Sequence, residues 1–282
     1  MKTVKTILSL LLCAVMLCGA CLPALAAGRT YYVVLGDSIS RGAGIRNPNE
    51  ACYGRIIANT NGYDYANFGV DGNMSDDLLS KLYRDTGVIN AVKAADIISI
   101  SIGGNDFLRD NMPAMIAKGL VEDYGQIDRI VSGFSENFNV IIAKIKEYNP
   151  GALLLVQTLY NPMEGTAVVN KVYAQALSQL NAVYTDYAAA HPGEIEIVDV
   201  AAAFAGKSGL IAIDTIHPNA EGNYLIARTI QAKLYELGRV TTTEIVVQTA
   251  AVDHVPTTKT TWQKISDFFR GIVSFFRNLF RI

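Results

Sequence analysis

Three residues stand where a hydrolytic site could be assembled. Ser38 lies in Gly36-Asp37-Ser38, directly after the apolar run Tyr31-Tyr32-Val33-Val34-Leu35. A serine hydroxyl is a weak nucleophile at neutral pH. It needs a base within hydrogen-bond reach, and the base needs an orienting group. The chain has three histidines, so the choice of base is narrow. His191 precedes Pro192 at what reads as the end of a long helix, and His254 falls in a Thr-rich stretch. His217 lies in Asp214-Thr215-Ile216-His217-Pro218. Asp214 is three residues before it, about one helical turn, so both side chains can point into one site. A carboxylate at that spacing can hold the imidazole in the tautomer that accepts the Ser38 proton.

Attack on a carbonyl creates an oxyanion, which needs donors placed in advance. The backbone N–H of Ser38 is one candidate. Gly72, in Val70-Asp71-Gly72-Asn73, can bring a backbone N–H close because it has no Cβ. Asn105, in Gly103-Gly104-Asn105-Asp106, can aim its side-chain amide. Each feature alone is ordinary turn or cap chemistry; together they specify acyl transfer. Asp37, Asp106, Asp214 and His217 could instead gather around a divalent ion, but one histidine and no cysteine make a poor zinc set. No cofactor is expected. A binding module without catalysis, for carbohydrate or the cell envelope, is the alternative on the same fold, although it would have no use for both a triad and oxyanion donors.

These residues must be positioned by strand ends. Tyr31–Leu35 carries no polar alternation and reads as a strand buried on both faces. Tyr63–Phe68, Asp96–Ile102, Ala152–Thr158 and Glu194–Val200 read as four more strands. Helices are expected over Ala51–Asn61, from Ser75 as cap through Ala94, over Ile127–Tyr148, Ala167–Ala190 and Ala220–Leu237. Asn111–Tyr124 reads as irregular or weakly helical, and Ala201–Ile213 as loop. Strands alternating with helices imply a parallel sheet in an α/β fold. Right-handed crossovers then make a three-layer α/β/α sandwich, with the flavodoxin-like order 2-1-3-4-5 for five strands. Ser38, Gly72 and Asn105 all follow strands, so they share the carboxyl edge where open α/β sheets bind ligands. Phe107, Leu108, Met112, Met115, Tyr160 and Met163 are candidates for lining an acyl pocket there.

Gly36-Asp37-Ser38, Gly72, Gly104-Asn105-Asp106 and Asp214-x-x-His217-Pro218 come in the order and approximate spacing of the SGNH (GDSL-type) hydrolases, which the chain resembles from about Thr30 to Leu237. Ile39 stands where that family commonly has Leu. The resemblance implies an α/β/α sandwich and hydrolysis of carboxylic esters through an acyl-enzyme. It implies Ser38 as nucleophile, His217 as base and Asp214 as its orienter, with Ser38 N–H, Gly72 N–H and Asn105 as oxyanion donors. Substrates in that family include acyl groups on carbohydrate and lipid or thioester acyl chains.

Residues 1–26 read as a signal peptide: Lys2 and Lys5, an apolar core over Ile7–Leu17, and the small-x-small site Ala24-Leu25-Ala26. The chain is therefore expected to be secreted or associated with the cell envelope; a lipoprotein processed at Cys21 is the lesser alternative. Of four cysteines, Cys13, Cys18 and Cys21 fall in that segment, leaving Cys52 without a disulfide partner. Loss of Lys2 and Lys5 leaves 22 basic residues against 26 acidic ones, a net charge of −4, which argues against a nucleic-acid partner. The hydrolase domain is expected over 27–238 and a Thr-rich linker over 239–261, with Ile245-Val246-Val247 as a possible extra strand. In 262–282, Trp262, Ile265, Phe269, Ile272, Phe276 and Leu279 form one apolar face, and Lys264, Arg270, Arg277 and Arg281 lie among the polar positions. Such a basic amphipathic helix suits a membrane surface or packing on protein. No signal fixes the oligomeric state.

Overall fold

The computed structural model describes residues 28–164 and 167–246. The expected signal peptide 1–26, the amphipathic segment 262–282 and the linker beyond Val246 lie outside the described residues.

The elements run in order as β1 (Tyr31–Gly36), α1 (Ser38–Arg41), α2 (Pro48–Ala51), α3 (Tyr53–Asn61), β2 (Asp64–Asn67), α4 (Ser75–Arg84) and α5 (Thr86–Ala94). They continue as β3 (Ile97–Ser101), α6 (Gly104–Leu108), α7 (Met112–Gly119), α8 (Gly125–Tyr148), β4 (Leu153–Gln157), α9 (Ala167–Ala190), β5 (Glu196–Val198), α10 (Val200–Phe204) and α11 (Ala220–Glu236). The five strands form one sheet in the order β2-β1-β3-β4-β5, with every pair parallel. This is the α/β/α sandwich that strand–helix alternation required.

Alternation along the buried strands divides the core in two. Val33, Leu35, Ile98, Ile100, Leu154 and Val156 face α4, α5, α8 and α9, through Leu78, Val92, Phe138 and Tyr184 among others. Tyr32, Val34, Ile97 and Leu155 face α3 and α11, through Ile56, Ile57, Ile226 and Ile230. With both faces covered, the central strands can carry no charge and little polarity, which is why they read as largely apolar runs, with only Ser99 and Ser101 interrupting β3.

The structure differs from the sequence-based expectation at element ends. Ser75 was expected to cap the helix that follows; it is instead the first residue of α4, and Met74 occupies the cap position. The Ser75 N–H and hydroxyl both donate to the carboxylate of Asp106, across the chain, and Asn137 donates to the Ser75 hydroxyl at 2.9 Å. A distant carboxylate thus meets one of the orphan backbone donors of the first turn, and Asp77 meets the Met74 N–H at 3.0 Å. Asp85 breaks the expected continuous helix by capping α5, accepting from Gly87 and Val88 N–H at 2.9 and 3.2 Å. Met112–Gly119 is a full helix, started by Pro113 and by Asn111 accepting from Ala114 N–H at 3.3 Å. Val200–Phe204 is helical, capped by Asp199, where Val200 was expected to end a strand and Ala201 to begin a loop. β5, at the sheet edge, is only Glu196–Val198.

The chain past α11 turns back onto the sandwich. Thr242 O accepts from the buried Gln231 amide at 2.9 Å, and Val246 N–H donates to Thr60 Oγ1 at 3.0 Å. Ile245 packs against the core beside α3 and α11; neither it nor Val246 is in a strand.

Candidate active site

The site begins at the end of β1. Gly36 adopts φ +132°, and a Cβ there would lie 1.9 Å from the Ser101 carbonyl oxygen, so only glycine lets β1 end this close to β3. The turn brings Asp37 N–H to Ser101 O at 3.1 Å. Asp37 then caps α1, accepting from Ile39 N–H at 2.9 Å, and Ser38 becomes the first helical residue. Its N–H is one of the donors that no carbonyl of its own helix can accept.

The base is built on a separate turn, 179 residues away. One Asp214 oxygen accepts from the N–H groups of Ile216 and His217, both at 3.0 Å. Its other oxygen accepts from His217 Nδ1 at 2.7 Å. Thr215 holds φ +67°, a left-handed conformation costly for a β-branched residue. The turn is secured by His217 O accepting from Ala212 N–H at 2.8 Å and by Tyr160, whose hydroxyl donates to Ile216 O at 2.6 Å. His217 Nε2 then meets Ser38 Oγ at 2.9 Å. With Nδ1–H given to Asp214, Nε2 is the acceptor and the serine hydroxyl the donor.

Both partners are buried: Ser38 is 4% and His217 2% exposed. Burial alone would raise the Asp214 pKa, but the His217 hydrogen bond and charge, with the two backbone N–H groups, outweigh it and hold the carboxyl below the ordinary range. Asp37 goes the other way. Desolvation pushes its pKa up to about 7, against the lowering influence of Ile39 N–H and His217.

Asn105 stands on α6, buried beside the nucleophile. One hydrogen of its amide donates to Asn73 O at 2.9 Å, leaving the other for a substrate oxygen. Gly72, at φ +76°, forms the turn before Asn73 and is not among the residues lining the cleft. Its neighbour Gly69 already gives its N–H to Asn67 Oδ1 at 2.8 Å. Asp106 is occupied by Ser75, and burial raises its pKa despite those donors. Among the described residues no three His, Cys, Asp or Glu side chains gather as metal ligands. His191 stacks on Tyr187, away from Ser38.

Ser38, Asn105 and His217 open on one cleft, walled by Ile39, Phe107, Leu108, Leu159, Tyr160 and Leu177. Of the side chains expected to line it, Phe107, Leu108 and Tyr160 do; Met112, Met115 and Met163 are spent in the core. Sequence reasoning missed Gln157, Tyr173 and Leu177. Gln157 sits at a strand end, where a polar residue closing Ala152–Thr158 was the available signal; Tyr173 and Leu177 are one helical turn apart on α9 and carried none.

The profile of the GDSL-like Lipase/Acylhydrolase family matches residues 34–225. The uncharacterized protein YpmR of Bacillus subtilis strain 168 is 30% identical over 223 residues, 72% of this chain and 81% of that one. Among solved structures, the lipase Lip_vut3 from a goat rumen metagenome is similar at a TM-score of 0.59 and 23% identity, covering 72% of this chain and 96% of the other. Phospholipase A1 from Streptomyces albidoflavus is similar at a TM-score of 0.57 and 20% identity, covering 73% of this chain and all of that one.

Proposed function

The chain belongs to the GDSL-like lipase/acylhydrolase family, and on that premise we propose that it is a serine hydrolase of carboxylic esters in which Ser38 attacks, His217 takes the proton and Asp214 orients the imidazole. The observation that carries the reading is the hydrogen-bonded line from Ser38 Oγ through His217 to Asp214, at 2.9 and 2.7 Å, on the floor of an apolar cleft.

In this reading the reaction runs on that hydrogen-bonded line. As Ser38 Oγ bonds to the ester carbon, its proton passes to His217 Nε2 and the imidazolium is balanced by ionised Asp214. The carbonyl oxygen becomes an oxyanion, received by Ser38 N–H and the free hydrogen of the Asn105 amide; Gly72, which does not line the cleft, stands as third donor on the family resemblance alone. His217 returns the proton to the leaving alcohol, and water resolves the acyl-enzyme by the same steps reversed. Gly69 is ruled out of the donor set by its bond to Asn67.

The apolar walls favour an acyl chain in the cleft and the alcohol part toward solvent. Lipase and phospholipase among the structural neighbours agree with acyl esters as the class, in preference to acetyl groups on carbohydrate. We place the enzyme outside the cytoplasm on the pattern of residues 1–26. Chromogenic esters from acetyl to palmitoyl, assayed beside acetylated sugars, test the reading. Hydrolysis that rises with chain length and disappears in Ser38→Ala supports it. No hydrolysis of any ester, with no labelling of Ser38 by a serine-directed phosphonate, leaves the non-catalytic binding module.

A further inference from the structure

Among the described residues, two buried side-chain polar atoms have no hydrogen-bond partner: Tyr173 Oη and Gln157 Nε2. Both residues line the cleft that holds Ser38. They approach it from different sides, Tyr173 from α9 and Gln157 from the end of β4. Gln157 leans on the Tyr53 phenol, but its Nε2 finds no acceptor in hydrogen-bonding geometry there. Tyr173 is 1% exposed. Its ring meets Phe107 edge-on, with centroids 5.1 Å apart, and Leu177 lies one helical turn on.

Buried donors are normally satisfied, and an exception asks for an explanation. Elsewhere in this core the tyrosine hydroxyls do find partners: Tyr32 donates to Ser99, Tyr160 to Ile216 O and Tyr184 to Ile102 O. A phenylalanine would fill the Tyr173 site equally well if only packing mattered. Both orphan atoms can donate, and both belong to residues that line the cleft.

We infer that Tyr173 is a specificity-determining residue whose hydroxyl donates to an acceptor oxygen carried by the substrate's acyl chain. The preferred substrates are then esters of oxygenated acids, with a hydroxyl, keto or ether oxygen along the chain, and plain hydrocarbon acyl groups are second best. This rests on the ester-hydrolase reading above and adds the class of acyl group. A site built to hydrogen-bond a substrate group discriminates against the analogue that lacks it, because the donor is left unpaired.

The test uses 4-nitrophenyl hexanoate and its analogues in which one methylene of the chain is replaced by an ether oxygen at successive positions. These keep length and shape and add one acceptor. In the parent enzyme one position should raise kcat/KM about tenfold over the hydrocarbon ester. In Tyr173→Phe that gain, read as the ratio of ether-ester to hydrocarbon-ester kcat/KM, should fall to about one, whatever the variant's absolute rate on the hydrocarbon ester. Comparing parent with variant at each position cancels the inductive effect of the oxygen on the carbonyl. Because the hydroxyl has no protein partner, Tyr173→Phe should also melt no lower than the parent, which separates lost recognition from lost folding. An equal gain in both enzymes, or none at any position, overturns the assignment while leaving the hydrolase intact. Failure of every ester together with failure of phosphonate labelling overturns the hydrolase reading, and the assignment falls with it.

Discussion

His217 Nε2 lies 2.9 Å from Ser38 Oγ across 179 residues of chain. The contact joins the end of the first strand to the turn before the last helix, and both ends are held independently of it. Asp37 and Gly36 fix the serine; Asp214, Ala212 and Tyr160 fix the histidine. The pair is therefore poised before substrate arrives.

Ser38→Ala and His217→Ala should each lower kcat/KM by about four to six powers of ten, since the two act as one unit. Asp214→Asn should cost less, because an amide oxygen can still accept from the backbone. Steady-state kinetics on a soluble chromogenic ester decides it. A loss in His191→Ala comparable to that in His217→Ala would falsify the assignment.

Asn105→Ala should lower kcat by about 10²–10³ with KM little changed, as expected for a donor used mainly in the transition state. A rise in KM at constant kcat would instead mark Asn105 as a ground-state binding residue.

The Asp214 pKa is held below the ordinary carboxyl range. By linkage, this group adds stability above the unfolded-state pKa of about 3.9, and that stability is lost as pH falls through the folded value. The melting-temperature deficit of Asp214→Asn should therefore shrink as pH falls below about 4, and a deficit independent of pH would contradict the depressed pKa.

Asp37 has the opposite sign. The folded protein keeps its proton up to about pH 7, whereas the unfolded chain releases it near 3.9, so this group lowers stability as pH rises between the two and adds nothing further above. Asp37→Asn keeps an acceptor for Ile39 N–H and has no proton to lose. Its melting temperature relative to the parent should climb from pH 5 to pH 8, and a pH-independent difference would show that Asp37 is not desolvated in solution.

Ending the chain at Val246 should leave hydrolysis of soluble esters unchanged, since the ties from Thr242 and Val246 remain. Ending it at Gly238 removes the acceptor that Thr242 offers to the buried Gln231 amide and should lower the melting temperature. Sedimentation with anionic vesicles separates the two readings of 262–282, a membrane-surface helix or packing on protein, and tests the first. Binding by the full mature chain and by neither shortened form is the expected result, and equal binding by all three removes that role.

The residue pattern, with the family resemblance it carries, pointed to the fold and to a candidate chemical centre. Five strand-like runs, three of them largely apolar and two alternating, separated by helical periodicities, leave few solutions besides a parallel sheet whose central strands are covered on both faces. The scarcity of histidines and the Asp214–His217 spacing selected the base without reference to distance. Short-range reading failed where a partner comes from far along the chain. Ser75 looked like a cap, and only the fold brings Asp106 to it. Met112, Met115 and Met163 looked like pocket residues, and only packing decides that they fill the core while Tyr173 and Leu177 line the cleft. The acidity of Asp37 was likewise invisible in Gly36-Asp37-Ser38, because desolvation is set by what closes over a group. Caps, pocket walls and proton affinities depend on neighbours contributed by distant segments, and those neighbours exist only once the chain has folded.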